Sequence, residues 1–413
     1  MTSRERFLAS ALVCAVLSVA LLLGGWVRQS HSAAAPSAKI IDADDFPNLQ
    51  AAFDAVPEAG GLVKLPPGDF ELTRPLRLRR ENTRIQGAGA STHLINRNQE
   101  GAPALIVRHP NRDNDPKARL WRVQLSDFRI SGNPKSGDGL LAEGMNEIFI
   151  HGLSVDHNGG HGMNMVDCYE DPRISDSIIT YNGKAGINIF RGHDIAVSGN
   201  QLEENLDGVR CLDSYNLCMT GNVLDDHLQH GVVIESTYGS VLSGNMIEEC
   251  RGTAVILDRN CYGITISANV IAHNLEGVDL RDAWGCAVSA NTFTIIPGQA
   301  LRIGPGSGRI TVTGNNFSNS YIGEHTRREE NYEARWPGLI YATGILLEGT
   351  SDVAITGNIF SGLIHEAIKA VGQPQRIAVV GNVSHDLDRR DSKRSEPFSL
   401  GAAENAIGLN AGH

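Results

Sequence analysis

The sequence predicts an all-β fold, a single-stranded parallel β-helix in which three short strands make each coil of about 23 residues. Two periodic columns predict it. Asparagine closes the segments Ile195–Asn200, Leu217–Asn222, Ser240–Asn245, Ile264–Asn269, Cys286–Asn291, Ile310–Asn315, Val353–Asn358 and Ile377–Asn382, each time after Gly or Ala. The steps are 22, 23, 24, 22, 24, 43 and 24 residues, a phase that stacked repeats keep and an antiparallel sandwich has no reason to keep. Fourteen residues before most of these asparagines stands a glycine (Gly186, Gly208, Gly231, Gly277, Gly344), followed by alternating apolar residues such as Val209/Cys211 and Val232/Ile234. Stacked Asn amides can bond along such a ladder and tolerate left-handed backbone at a sharp turn.

From the N-terminus, residues 1–35 read as a signal peptide or, uncleaved, as a membrane anchor. Arg4 and Arg6 precede an apolar run from Phe7 to Val27, and Ser32-Ala33-Ala34-Ala35 supplies small residues for cleavage. The mature chain is therefore expected to be exported: periplasmic, extracellular or at the cell surface. Contact with a membrane would come only through this segment.

Residues 40–95 form the next unit. Leu49, Ala52, Phe53 and Val56 share one helical face, and Pro57 with Gly60-Gly61 ends that helix. Phe46-Pro-Asn-Leu-Gln-Ala-Ala-Phe-Asp-Ala, Gly60-Gly-Leu-Val-Lys-Leu-Pro-Pro-Gly-Asp-Phe and Ile85-Gln-Gly-Ala-Gly-Ala-Ser-Thr follow one another. This opening resembles that of the pectate-lyase-like superfamily of right-handed parallel β-helix proteins. The resemblance implies a right-handed coil and an N-terminal capping helix. It implies no particular reaction, because one scaffold hosts many functions.

The coils are expected over residues 96–385, with weaker ladder positions at Asn133, Leu153 and Ser177. Residues 386–413 read as a C-terminal tail, charge-dense from Asp386 to Glu396, with one strand near Phe398–Leu400. A balance of 47 acidic against 36 basic residues excludes nucleic acid as a main partner. Cys211, Cys218, Cys250, Cys261 and Cys286 lack metal-type spacing and read as small core residues.

Alternation assigns the outward face of the glycine-led strands. There Arg210, Glu235, Asp258, Asp279, Arg281 and Arg302 fall on neighbouring coils, with Asp282 just past the strand. A solvated face is the plain alternative, since charge pairs across strands also stabilise a sheet. The clustering of charge, and the long insertion from Ser318 to Thr343 beside this face, favour a site. His193, Tyr215, Tyr238, Tyr262 and Trp284 form an aromatic column seven residues before the asparagines. Tyr238, Tyr262 and Trp284 are candidates for stacking on sugar rings, although such a row also locks a turn. A polar column, Asp138, His161, Asp207, His230 and Glu276, precedes the glycines.

In the resembled superfamily the outward face of this strand set binds polysaccharide. The candidate function is thus action on a polysaccharide, an acidic uronate-containing one, by lyase or epimerase chemistry. Glu235, Asp258, Asp279 and Asp282 are the candidate catalytic carboxylates, and Arg210, Arg281 and Arg302 the candidate carboxylate holders. Calcium is a candidate cofactor on Glu235, Asp258 and Asp279. Two alternatives stay open: a glycoside hydrolase with paired carboxylates, and a non-catalytic glycan-binding or surface assembly protein. Gly160-His161-Gly162 is similar to a short polygalacturonase motif, but that family's other catalytic segments are missing, as is the Asp-Pro-His motif of mannuronan epimerases. No family catalytic residue carries over.

Overall fold

The computed structural model describes residues 39–319, 342–388, 396–401 and 405–412. Residues 1–35, the expected signal peptide or anchor, most of the Ser318–Thr343 insertion and part of the charged tail lie outside them. Among the described residues, three long parallel sheets of 17, 14 and 13 strands wind together as about 14 coils, right-handed, with three strands per coil. Each coil pairs in register with the next. Val209–Leu212 lies on Val232–Glu235, which lies on Thr253–Asp258, which lies on Glu276–Leu280. Further strands at Phe398–Ser399, Ala406–Gly408 and Ala411–Gly412 continue all three sheets.

The strands are short because each has only to cross one flat side before the chain turns. Inward positions carry Val, Ile, Leu, Met and Cys, and they form one continuous apolar core. Identical residues stack along it: the rings of Phe293, Phe317 and Phe360 lie parallel at 4.6 and 5.0 Å. The six cysteines among the described residues are free, and all but Cys218 are buried.

The asparagine column is a hydrogen-bonded ladder. Asn200, Asn222, Asn245, Asn269, Asn291, Asn315, Asn358 and Asn382 each donate Nδ2 to the Oδ1 of the next, ending on Asn410. The same Oδ1 atoms accept the backbone amide of the preceding asparagine, for example Asn222 to Asn245 at 3.1 Å. The residue before each asparagine is left-handed, as at Gly199 with φ 66°, which is why Gly or Ala stands there.

A second ladder runs through Asn158, Asn182 and Asn205. In the next coil His227 takes the place of asparagine. Its Nδ1 accepts the Asn205 amide at 3.2 Å, so its Nε2 carries the proton, buried and without a hydrogen-bond partner. Burial lowers this imidazole to about 4. The unfolded chain protonates His227 below about 6.5 whereas the fold resists until about 4, so the fold loses stability as pH falls through that window. The full loss is about 3 kcal/mol. His227→Asn is expected to raise stability by about 1 kcal/mol at pH 7 and to flatten the acid slope. Thermal melts of both proteins at pH 7 and pH 5 check this, and an equal slope in the two would refute it.

At the N-terminal end, helix Leu49–Asp54 buries Leu49, Ala52 and Phe53, and Asn48 caps it by accepting the Ala51 amide at 3.0 Å. Gln50 accepts from the Arg77 amide at 2.8 Å and donates to the Arg77 carbonyl at 3.1 Å. A side chain thus takes the backbone groups that a preceding strand would have paired.

Candidate functional site

The 13-stranded sheet carries the glycine-led strands, and register places their outward residues in two columns. The first runs Asn164, Asn188, Arg210, Val233, Ile256, Asp279, Arg302. The second contains Phe190, Leu212, Glu235 and Asp258. Glycine at 208, 231 and 277 starts these strands because a Cβ there would meet backbone carbonyl oxygen of the next coil within 2.6 Å.

The predicted charges come together as linked pairs. Arg210 donates to Glu235 at 3.1 Å and to Asp207, which is buried, at 3.1 Å. Glu235 also meets Arg259 at 3.2 Å. Asp279 stands between two arginines, Arg281 at 2.7 Å and Arg302 at 2.9 Å. Arg302 continues to Glu348 through Nε at 2.8 Å. Asp258 is the least engaged of the three carboxylates Glu235, Asp258 and Asp279. Its Oδ1 accepts the Arg259 amide at 2.7 Å, and its Oδ2 lies 3.8 Å from Arg281. Its side chain is 30% exposed against 12% for Glu235 and 13% for Asp279, so it is the one open to an incoming group.

Asp282 is turned elsewhere: its Oδ2 accepts the Asn260 amide at 2.7 Å, in the turn. Val233 and Ile256 stand on the outward phase yet are buried. They give the cluster a dry floor between Arg210 and Asp279, where charge interactions are stronger than in water. Asp207 and Arg259 are partners that the alternation argument did not choose. Asp207 stands in the polar column, directly before Gly208.

The aromatic column follows the same strands. His193, Tyr215, Tyr238 and Tyr262 pair by successive parallel bridges, and Cys261–Tyr262 pairs with Ala283–Trp284. Tyr238 and Tyr262 stack face to face at 4.5 Å with a 9° tilt, so each spends a ring face on the other. Tyr215 meets Tyr238 edge-on at 4.2 Å. Tyr262 and Trp284 stay partly exposed. A shallow cavity of about 350 Å³ is lined by Tyr169, His193, Tyr215, Asn216 and Tyr238.

Two sets of side chains among the described residues hold ligand atoms within 4.8 Å of one another, as a cation requires: Glu203/Asp225/Asp226 and Glu248/Glu249/His273. Both lie on the 14-stranded sheet or in the turn after it, not on the charged stripe. Burial, then the charges of Asp226 and Glu248, raise Asp225 to about 6. Glu235, Asp258 and Asp279 instead face arginines.

Residues 170–373 match the family model described as "Periplasmic copper-binding protein (NosD)". No curated protein matches the sequence. Among solved structures, the chain is similar to the mannuronan C-5 epimerase AlgE6 A-module of Azotobacter vinelandii, with 16% identity and a TM-score of 0.60 over 90% of this chain and 99% of that one. The AlgE4 A-module of the same organism gives 16% and 0.50 over 90% and 98%. DFA-IIIase from Arthrobacter chlorophenolicus A6 in complex with GF2 gives 13% and 0.57 over 90% and 99%. At such identities the likeness is one of fold.

Proposed function

We propose that this chain, a right-handed parallel β-helix repeat protein of the pectate-lyase-like superfamily, acts on an anionic, uronate-containing polysaccharide along its charged stripe. The observation that carries the reading is the Arg281–Asp279–Arg302 chain beside the open carboxylate of Asp258. The epimerase modules with the same fold are named for mannuronan, which supports the substrate class.

Proton abstraction next to a uronate carboxylate needs a base and a cationic partner for the charge that moves onto the carboxylate. Asp258 is placed to take the proton, and Arg281 and Arg302 to hold the carboxylate. Asp279 is a positioning residue that aims both arginines, and Glu235 does the same for Arg210. Asp282 holds the turn that carries Arg281. From the resulting enolate, return of a proton to the opposite face is epimerisation. Expulsion of the neighbouring glycosidic oxygen, which takes a proton from water, leaves a carbon–carbon double bond and is a lyase reaction. Tyr262 and Trp284 offer apolar surface at the groove edge. Helix Leu49–Asp54 serves in this reading as the N-terminal cap, supported by the Gln50 pairing with Arg77. Export through residues 1–35 belongs to the proposal too, supported by the word periplasmic in the matched family's description. Cell fractionation of a chain lacking residues 1–35 is its check.

Copper, also named in that description, would call for soft donors in its monovalent state. Burial pushes the thiols of Cys168, Cys250 and Cys261 up to about 12 and that of Cys211 up to about 11. The two surface donor sets contain carboxylates and one imidazole. Among the described residues these donors do not fit a thiolate copper site, and no step of the reading runs through copper.

A panel of acidic and neutral polysaccharides, read by ultraviolet absorbance, reducing ends and NMR of sugar configuration, tests the reading. Absorbance marks a lyase, inverted configuration an epimerase, reducing ends alone a hydrolase. Arg281→Ala is expected to weaken binding of acidic sugars about tenfold, with a larger loss at low salt. Equal binding by variant and wild type at low salt would count against the stripe.

A further inference from the structure

Two histidines that precede the site strands are held in the same way. Nδ1 of His161 accepts the Ala185 amide at 3.2 Å, and Nδ1 of His230 accepts the Thr253 amide at 3.0 Å. An amide N–H points only at an unprotonated ring nitrogen, so each neutral ring carries its proton on Nε2. Neither Nε2 has a hydrogen-bond partner among the described residues, and neither is a buried orphan, so both reach solvent. The nearest carboxylates are engaged elsewhere. Asp138 accepts the His161 amide at 2.8 Å and the Asn164 side chain at 2.8 Å. Asp207 accepts the His230 amide at 3.0 Å and Arg210 at 3.1 Å.

The same column shows what a histidine adds. Asp138, Asp207 and Glu276 each accept the amide of the next coil, as the histidines do. The structural task of the column is therefore to accept one N–H, and aspartate performs it. A histidine performs it too and turns a donor outward. That donor sits between charges of both signs: those of Asp138, Lys184 and Arg210 act on His161, and those of Asp207, Arg281 and Arg210 on His230. Burial lowers both rings first, the neighbouring aspartate of each opposes it, and the cations add to it.

We infer that His161 and His230 are fixed neutral hydrogen-bond donors for an anionic glycan, marking two binding positions three coils apart on one groove. The inference rests on the carbohydrate reading above and adds a direction. Three coils span about 14 Å along the helix axis, so the glycan lies along that axis, with acidic or hydroxyl oxygens meeting both rings. Neither ring is a base, because Nδ1 is occupied and Nε2 already holds a proton.

Calorimetric titration of the full chain with uronate oligomers of graded length, and with their carboxyl-reduced counterparts, tests this. His230→Asp keeps the acceptor for Thr253 and turns the outward donor into a carboxylate. It is expected to keep the melting temperature and to lose about tenfold or more in affinity for the acidic oligomers. His230→Asn keeps both an acceptor and a donor and should bind within about threefold of wild type. His161→Asp should lose affinity for long oligomers and none for those too short to span both rings. Burial holds both rings below the ordinary imidazole range, so affinity should stay flat from pH 8 to pH 7, with Asp138, Lys184 and Arg210 facing His161 and Asp207, Arg210 and Arg281 facing His230. A His230→Asp variant that binds like wild type while Arg281→Ala binds poorly overturns the donor role and leaves the carbohydrate reading standing. A rise in affinity as pH falls from 8 to 7 also overturns it, since it would mean a ring charged where burial should keep it neutral. If neither variant changes binding, both readings fall.

Discussion

Replacing Asn245 by Leu is expected to destabilise the fold by about 4 kcal/mol, near the upper end for a single substitution. The leucine would fit the volume and the apolar surroundings, so the loss is one of hydrogen bonds. Asn245 Oδ1 accepts both the amide and Nδ2 of Asn222, at 3.1 and 2.9 Å, and its own Nδ2 reaches Asn269 at 3.0 Å and the Met219 carbonyl at 3.1 Å. The variant strands the buried Asn222 amide and takes a donor from the Met219 carbonyl, whereas Asn269 Oδ1 keeps the backbone amide of residue 245, and a stranded buried group costs about 1–3 kcal/mol. Coils on both sides depend on the position, so the melt should also broaden as the solenoid divides. Chemical denaturation followed by circular dichroism measures both effects, and an unchanged midpoint would remove the ladder from the account of stability.

Asp258→Asn is expected to lower turnover by about a thousandfold on whichever acidic polysaccharide the panel identifies, with the melting temperature unchanged. The amide can still accept the Arg259 N–H that Asp258 Oδ1 takes at 2.7 Å, so the local geometry survives. What disappears is the basic oxygen, which lies 3.8 Å from Arg281 and has no closer partner. Asp279→Asn should behave differently. It removes the charge that anchors Arg281 and Arg302, so substrate binding suffers along with turnover, and a split between kcat and KM separates the two roles. Should Asp258→Asn keep full activity, the stripe is a solvated charged face and catalysis belongs to other residues.

Much of this architecture is legible without coordinates. The asparagine column announced the coil because one residue type repeats where one turn repeats, and stacking makes each copy the hydrogen-bond partner of the next. The second ladder escaped notice for the opposite reason: Asn158, Asn182 and Asn205 give way to His227 and Cys250 before Asn274 resumes. Several side chains can accept the same N–H, so the position shows less clearly than the bond. For the site, alternation brought Arg210, Glu235, Asp258, Asp279, Arg281 and Arg302 to one face. It could not show that Asp282 turns to the Asn260 amide, nor that Tyr238 and Tyr262 stack on one another, because those follow from rotamers and turn geometry.

By itself the sequence determined the solenoid, its three strands per coil and the phase of the coils from Ile148 onward, because strand alternation and coil period are local and repeat along the chain. One coil earlier the register sets Phe128 under Leu153 and moves Asn133 to the column of Asn158, where the expected ladder position does not hold. Only the tertiary structure decided which charge meets which. An arginine side chain is long enough to cross to a neighbouring coil, so Arg302 reaches back to Asp279 and forward to Glu348, and Arg210 joins Asp207 to Glu235. Asp258 is left open because the arginines around it are bound more closely to other carboxylates.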